Sequence, residues 1–177
     1  MSTRMILGVV IAFLLVADPL AAQQEGQALE LPELTMEQRW ERTAWSLDLL
    51  FCVSIADWKA QGKTAEDYGR HMVEVVGPGW QGVENPAQMM RAMYRNNMMW
   101  PGFEFELVSQ SESAVTGRFS RAYKVHFGED GELYGTTMEE YERAMKVFHT
   151  LIAESLGFEY EQKPDGERII ISITRST

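Results

Sequence analysis

Residues 89–108 read "MMRAMYRNNMMWPGFEFELV", and the fold class turns on the middle of this stretch. Up to Trp100, apolar residues recur every three or four positions, the period of an α-helix. Pro101-Gly102 breaks the pattern. From Phe103 the period becomes two: Phe103, Phe105 and Leu107 alternate with Glu104 and Glu106, as in a half-buried strand.

The helix has a clear start. Asn85 is placed to cap it, Pro86 fits the first helical position and Gln88 the third. It then carries five of the chain's 11 methionines between Met89 and Met99. Clustered thioethers outside the cytoplasm can hold Cu(I), or they can fill an irregular core or an apolar surface. A wheel at about 100° per residue separates the two. With Met89 at zero, Trp100, Met93, Met90, Tyr94 and Met98 fall between about 20° and about 180°, and Arg91 and Arg95 lie beyond them. The stripe is continuous and shared with large aromatics, and no Cys or His interrupts the run. This predicts a core or interface helix and no metal site. Asn97, near about 80°, sits inside the stripe. It is either a frayed last-turn residue or a polar group lining a pocket.

Working upstream, Thr64 and Asp67 form a capping pair for a helix with Tyr68, Met72, Val75 and Val76 on its face, stopped by Gly77-Pro78-Gly79. Thr35 and Gln38 do the same for a longer helix running from Trp40 to Trp58, closed by Gly62. Downstream, Val115 and Phe119 suggest a second strand, with Tyr123, Val125 and Phe127 as its continuation or a third. Gly128–Gly131 is a turn. Thr137 and Glu140 cap a fourth helix carrying Tyr141, Met145, Phe148, Ile152 and Leu156, closed by Gly157. A hairpin ends the chain: Phe158 and Tyr160, a turn at Lys163–Gly166, then Ile169, Ile171 and Ile173. The expected fold is α+β, an antiparallel sheet of four to five strands covered by about four helices in the order ααα-ββ(β)-α-ββ. It spans residues 35–177 as one domain.

The N-terminus differs in kind. Arg4 precedes the unbroken apolar run Met5–Ala17, followed by Asp18-Pro19 and small residues to Ala22. Residues 1–22 are therefore a signal peptide or an uncleaved membrane-anchoring helix, and residues 23–34 a tether. Either reading predicts a periplasmic or other extracytoplasmic domain, anchored at the inner membrane if the helix is kept. A net charge of −10 argues against nucleic acid. The single Cys52 lies in an apolar helical stretch, which predicts a buried, inert thiol. His71, His126 and His149 do not converge in the pattern. Trp80, in "GPGWQG", is either an anchor or lid on a loop or an ordinary core residue.

Three stretches carry a resemblance: "KTAEDYGRHM" (63–72), "WPGFEFELV" (100–108) and "FHTLIAESLGFEYEQ" (148–162). Their spacing resembles the 4-vinyl reductase domain family and the related 2-amino-thiazoline-4-carboxylate hydrolase-like domains, and more remotely the TRAPP vesicle-transport subunits. Those families often place Cys-Pro before the last helix and a Cys in the final strand. Here the positions read Gly135-Thr136-Thr137 and Ile169–Ser172, so no thiol or metal chemistry carries over. The resemblance implies a fold that cradles a small apolar molecule or docks a partner. The expected function is that of a non-enzymatic, membrane-tethered accessory subunit docking on a membrane protein complex or on its own copies. The alternatives are a binder of a small apolar or aromatic, tetrapyrrole-like molecule and, more weakly, a hydrolase. No cofactor is expected beyond such a non-covalent ligand. The surface expected to meet ligand or partner comprises Met90, Met93, Asn97, Trp100, Trp80, Phe103 and Phe105.

Overall fold

The computed structural model describes residues 33–176; the expected signal or anchor and nearly all of the tether lie outside them. Three helices come first: α1 (Met36–Ala60), α2 (Ala65–Val76) and α3 (Pro86–Asn97). Two strands follow, β1 (Phe105–Gln110) and β2 (Ala114–Ser120), then a short ribbon of β3 (Glu132–Leu133) and β4 (Thr136–Thr137). Helix α4 (Met138–Ser155) leads into the closing hairpin of β5 (Phe158–Asp165) and β6 (Arg168–Arg175). The main sheet is antiparallel, in the order β1-β2-β6-β5. The fold is α+β, as the change of period at Pro101 predicts.

The caps form as the sequence dictates. The Thr35, Thr64 and Thr137 side chains each accept the amide three residues on, and Gln38, Asp67 and Glu140 return the bond. Asn85 accepts from the Gln88 amide at 2.9 Å. Each of these bonds satisfies a helix-end N–H that would otherwise be orphaned.

Three local expectations are corrected. Helix α3 ends at Asn97 and not at Trp100. Pro101 cannot donate to the Asn97 carbonyl and its ring would clash there, so the last turn unwinds. Met98 consequently leaves the stripe and is half exposed. Second, Ala122–His126 is a 3₁₀ turn rather than strand. Tyr123 and Phe127 are buried while Val125 is 79% exposed. With about three residues per turn the side chains no longer alternate, so Val125 points away from its neighbours, whereas a strand would align all three. Third, β1 is an exposed edge strand: Phe105 is half-buried, Leu107 is 52% exposed, and the register slips between Leu107 and Ser109. The β3–β4 ribbon, two residues to a strand, is too short to show as alternation in the sequence. It turns through Tyr134 and Gly135, both at positive φ, the geometry of a type I′ hairpin.

Buried side chains form two clusters. One packs α3 and α4 on the sheet through Met89, Met90, Val115, Phe119, Ile152 and Ile173. The other joins α1 to the start of α4 and the 3₁₀ turn through Cys52, Ile55, Trp100, Tyr123, Phe127 and Tyr141. Helix α2 crosses α4 closely: a Cβ on Gly69 would stand 2.4 Å from the Ala144 carbonyl oxygen. Among the described residues no helix is long and apolar enough to cross a membrane.

Candidate functional site

A cavity of about 350 Å³ lies where the two clusters meet. The α3 end supplies Met93 and Asn97, and the following turn Met99 and Trp100. Phe119, Ile169 and Ile171 rise from the sheet, with Tyr160 and Gln162 from β5. Helix α4 contributes Tyr141, Glu142, Met145, Phe148 and His149. Phe51, Trp80 and Tyr123 add to a wall rich in aromatic rings, with Met72, Val76 and Asn96 at its margin.

The seven expected surface residues divide between two places. Met93, Asn97, Trp100 and Trp80 line this cavity. Met90, Phe103 and Phe105 instead border a groove on the other side of α3, with Tyr94 and the arginines Arg91 and Arg95. The division follows from helical geometry: Met90 and Met93 are three residues apart and diverge across the broad stripe. Trp80 is 9% exposed and stands edge-on to Phe148 and His149, at 6.2 and 6.4 Å between ring centroids. Asn97 is half-buried and donates its side-chain amide to the Met93 carbonyl at 2.8 Å.

Behind Trp100 lies a residue that the sequence pattern passes over. Asp48 on α1 is fully buried. It accepts from the Trp100 indole at 2.7 Å and the Tyr141 hydroxyl at 3.2 Å, and it pairs with His126 Nδ1 at 2.5 Å. Burial raises its pKa; the bonds from His126, Trp100 and Tyr141 oppose the rise. The network fixes two cavity walls, Trp100 and Tyr141, at once. One turn on, Cys52 is fully buried, its thiol pushed up to about 12 by burial and by the Asp48 charge. The nucleophile that a hydrolase reading would ask of Cys52 is absent from any accessible site.

His149 is the second residue that the sequence pattern passes over. It projects among the rings of Trp80, Phe148 and Tyr160. Burial pushes its pKa down to about 4, against a hydrogen bond to the Met145 carbonyl. It is a neutral imidazole at physiological pH. His71 stacks on Trp58 beside Glu74, and His126 sits on Asp48. The three histidines thus occupy three separate places. Among the described residues no three His, Cys, Asp or Glu side chains gather as a metal site would need.

Neither a family model nor a curated protein matches the chain. Two solved structures are similar. One is the Fe(II) unliganded H-NOX protein from K. algicida, 11% identical over 64% of this chain and 60% of that one, with a TM-score of 0.37. The other is a point mutant of the same protein, 13% identical over 88% of this chain and 82% of that one, also at 0.37. In the first pairing the chain spans about 60% of the H-NOX protein's length. A likeness at that TM-score argues neither for a shared fold nor for a shared function.

Proposed function

We propose that this domain binds a small apolar or aromatic molecule in the cavity between α3, α4 and the sheet, outside the cytoplasm. The observation that carries the reading is the cavity itself, about 350 Å³ with aromatic walls and a few polar groups. Small-molecule sites have this character and start at about 300 Å³. The size favours one or two rings over a tetrapyrrole. The likeness to the 4-vinyl reductase domains points the same way. The extracytoplasmic setting rests on Arg4 and the apolar run Met5–Ala17.

Solvent extraction of the purified protein and mass spectrometry should release a small aromatic or apolar compound. Titration with one- and two-ring arenes should quench the tryptophan fluorescence, since Trp80 and Trp100 are in the wall. A protein that yields no such compound and responds to no arene ends the reading.

A second reading, the accessory subunit, has its own observation. Edge strand β1 exposes Leu107 and Val108 beside the groove of Tyr94 and Phe105. Unpaired strand edges with apolar side chains are surfaces to which partners add. Native gels of solubilised membranes would test it: a 20.2 kDa species alone in every fraction counts against a partner.

A further inference from the structure

The polar groups of the cavity wall are unevenly committed. The Tyr123 hydroxyl donates to Glu142 Oε1 at 2.8 Å and the Tyr160 hydroxyl to Gln162 Oε1 at 2.7 Å. The Tyr141 hydroxyl and the Trp100 indole both donate to Asp48. Asn97 spends its amide on the Met93 carbonyl. The Trp80 indole and the side-chain amides of Asn96 and Gln162 are left among the donors. The acceptors left over are stronger. Glu142 Oε2 has no partner among the described residues, and one nitrogen of His149 is a lone-pair acceptor once the other donates to Met145.

Charge points the same way. Glu142 is the one ionised side chain in the wall, and neither Lys nor Arg lines it. Arg121, which does not line the cavity, pairs with Glu142 at Oε1, 3.3 Å away, and offsets part of its charge, leaving Oε2 as the oxygen that accepts no hydrogen bond among the described residues. A carboxylate ligand would be buried beside another carboxylate, with no Lys or Arg in the wall to meet it. A cationic amine would meet an acceptor oxygen and aromatic faces, which attract ammonium groups. The chain's net charge of −10 also draws cations toward it.

We propose that the ligand is a small aromatic amine, its ring among the aromatic walls and its N–H donors on Glu142 Oε2. This inference rests on the cavity being a ligand site. Three probes of similar shape test it on the full domain by calorimetry: phenethylamine, propylbenzene and 3-phenylpropanoate. The amine should bind about ten-fold or more tighter than the neutral arene, and the acid should not bind. Glu142→Gln should bring the amine down to the arene's affinity for the same variant. An amine no tighter than propylbenzene, an acid that binds best, or an amine preference that survives Glu142→Gln each overturns the amine assignment while leaving the cavity reading intact. If none of the three binds, both fail. Should the variant not fold, the ranking on the unaltered protein decides.

Discussion

Asp48, fully buried, and His149, half-buried, are ionisable side chains on helices that face the interior, and the protein treats them in opposite ways. Asp48 is met by an indole, a hydroxyl and an imidazole nitrogen, and its surroundings are filled. His149 is met by three aromatic rings and one backbone carbonyl, and the space before it is open. A polar group that serves packing is saturated with partners. One that serves a ligand keeps some capacity unspent. On that contrast Asp48 belongs to the scaffold and His149 to the cavity wall, although Asp48 holds two residues of that wall, Trp100 and Tyr141.

The contrast is broken most directly at Asp48. Asp48→Ala would leave the Trp100 indole, the Tyr141 hydroxyl and His126 without their shared acceptor in a dry interior. Leaving buried donors without their acceptor typically costs about 1–3 kcal/mol each, so a total of about 3–5 kcal/mol is expected for this network. Urea denaturation should show a loss of that size. A loss under 1 kcal/mol would mean that the network contributes little to the scaffold.

His149 predicts a pH dependence whose sign is set by its depressed pKa. The unfolded chain protonates near the ordinary value of 6.5, the folded one near 4. Above pH 6.5 both states hold a neutral imidazole and stability is complete. As pH falls toward 4 the unfolded state takes up a proton that the folded state refuses, and stability drops. At about 1.36 kcal/mol per unit the loss is on the order of 3 kcal/mol across that window. Denaturation curves for the wild type and His149→Phe should differ in slope between pH 6.5 and pH 4. Parallel curves would place His149 in water.

How much of this was legible beforehand depends on sequence distance. Caps, turns and helix stripes involve residues three or four apart, and Thr35, Thr64, Asn85 and Thr137 were all readable. So was the switch to strand at Pro101. At Tyr123–Phe127 three alternate apolar residues fit a strand, and a 3₁₀ turn of five residues is too short to leave a period of its own. The cavity was only half visible. Met93, Asn97, Trp100 and Trp80 stand out on a wheel or in a loop. Glu142, His149, Tyr160 and Gln162 meet them only through tertiary packing. Asp48 did leave a signal: a carboxylate four residues from Ala44 and four from Cys52, inside an apolar sector, needs a buried partner.

Two isoleucines on β6 sharpen the comparison of filled and open core. Ile173 is fully buried and lies away from the cavity, whereas Ile171 faces it. Enlarging a side chain in a packed core costs about 1–3 kcal/mol. Ile173→Phe should cost that much. Ile171→Phe has space to enter, so its stability should stay within about 1 kcal/mol of the wild type while arene binding is lost. Equal costs at the two positions would mean that the cavity closes in solution.

The smallest expected effect is at the edge strand. Leu107 is 52% exposed and lies opposite Gly117, which offers it no side chain to pack on. Gly117 is instead covered by the ring of Phe105, 2.5 Å from where a Cβ would stand. Leu107→Lys therefore removes little buried area, and a change within about 0.5 kcal/mol is expected. Lysine on an edge strand also discourages pairing with another chain. If β1 docks a partner, this substitution should release it from the membrane fraction while arene binding in the cavity persists. If cavity and edge respond together, the two readings describe one site, and separating them by the two sides of α3 is wrong.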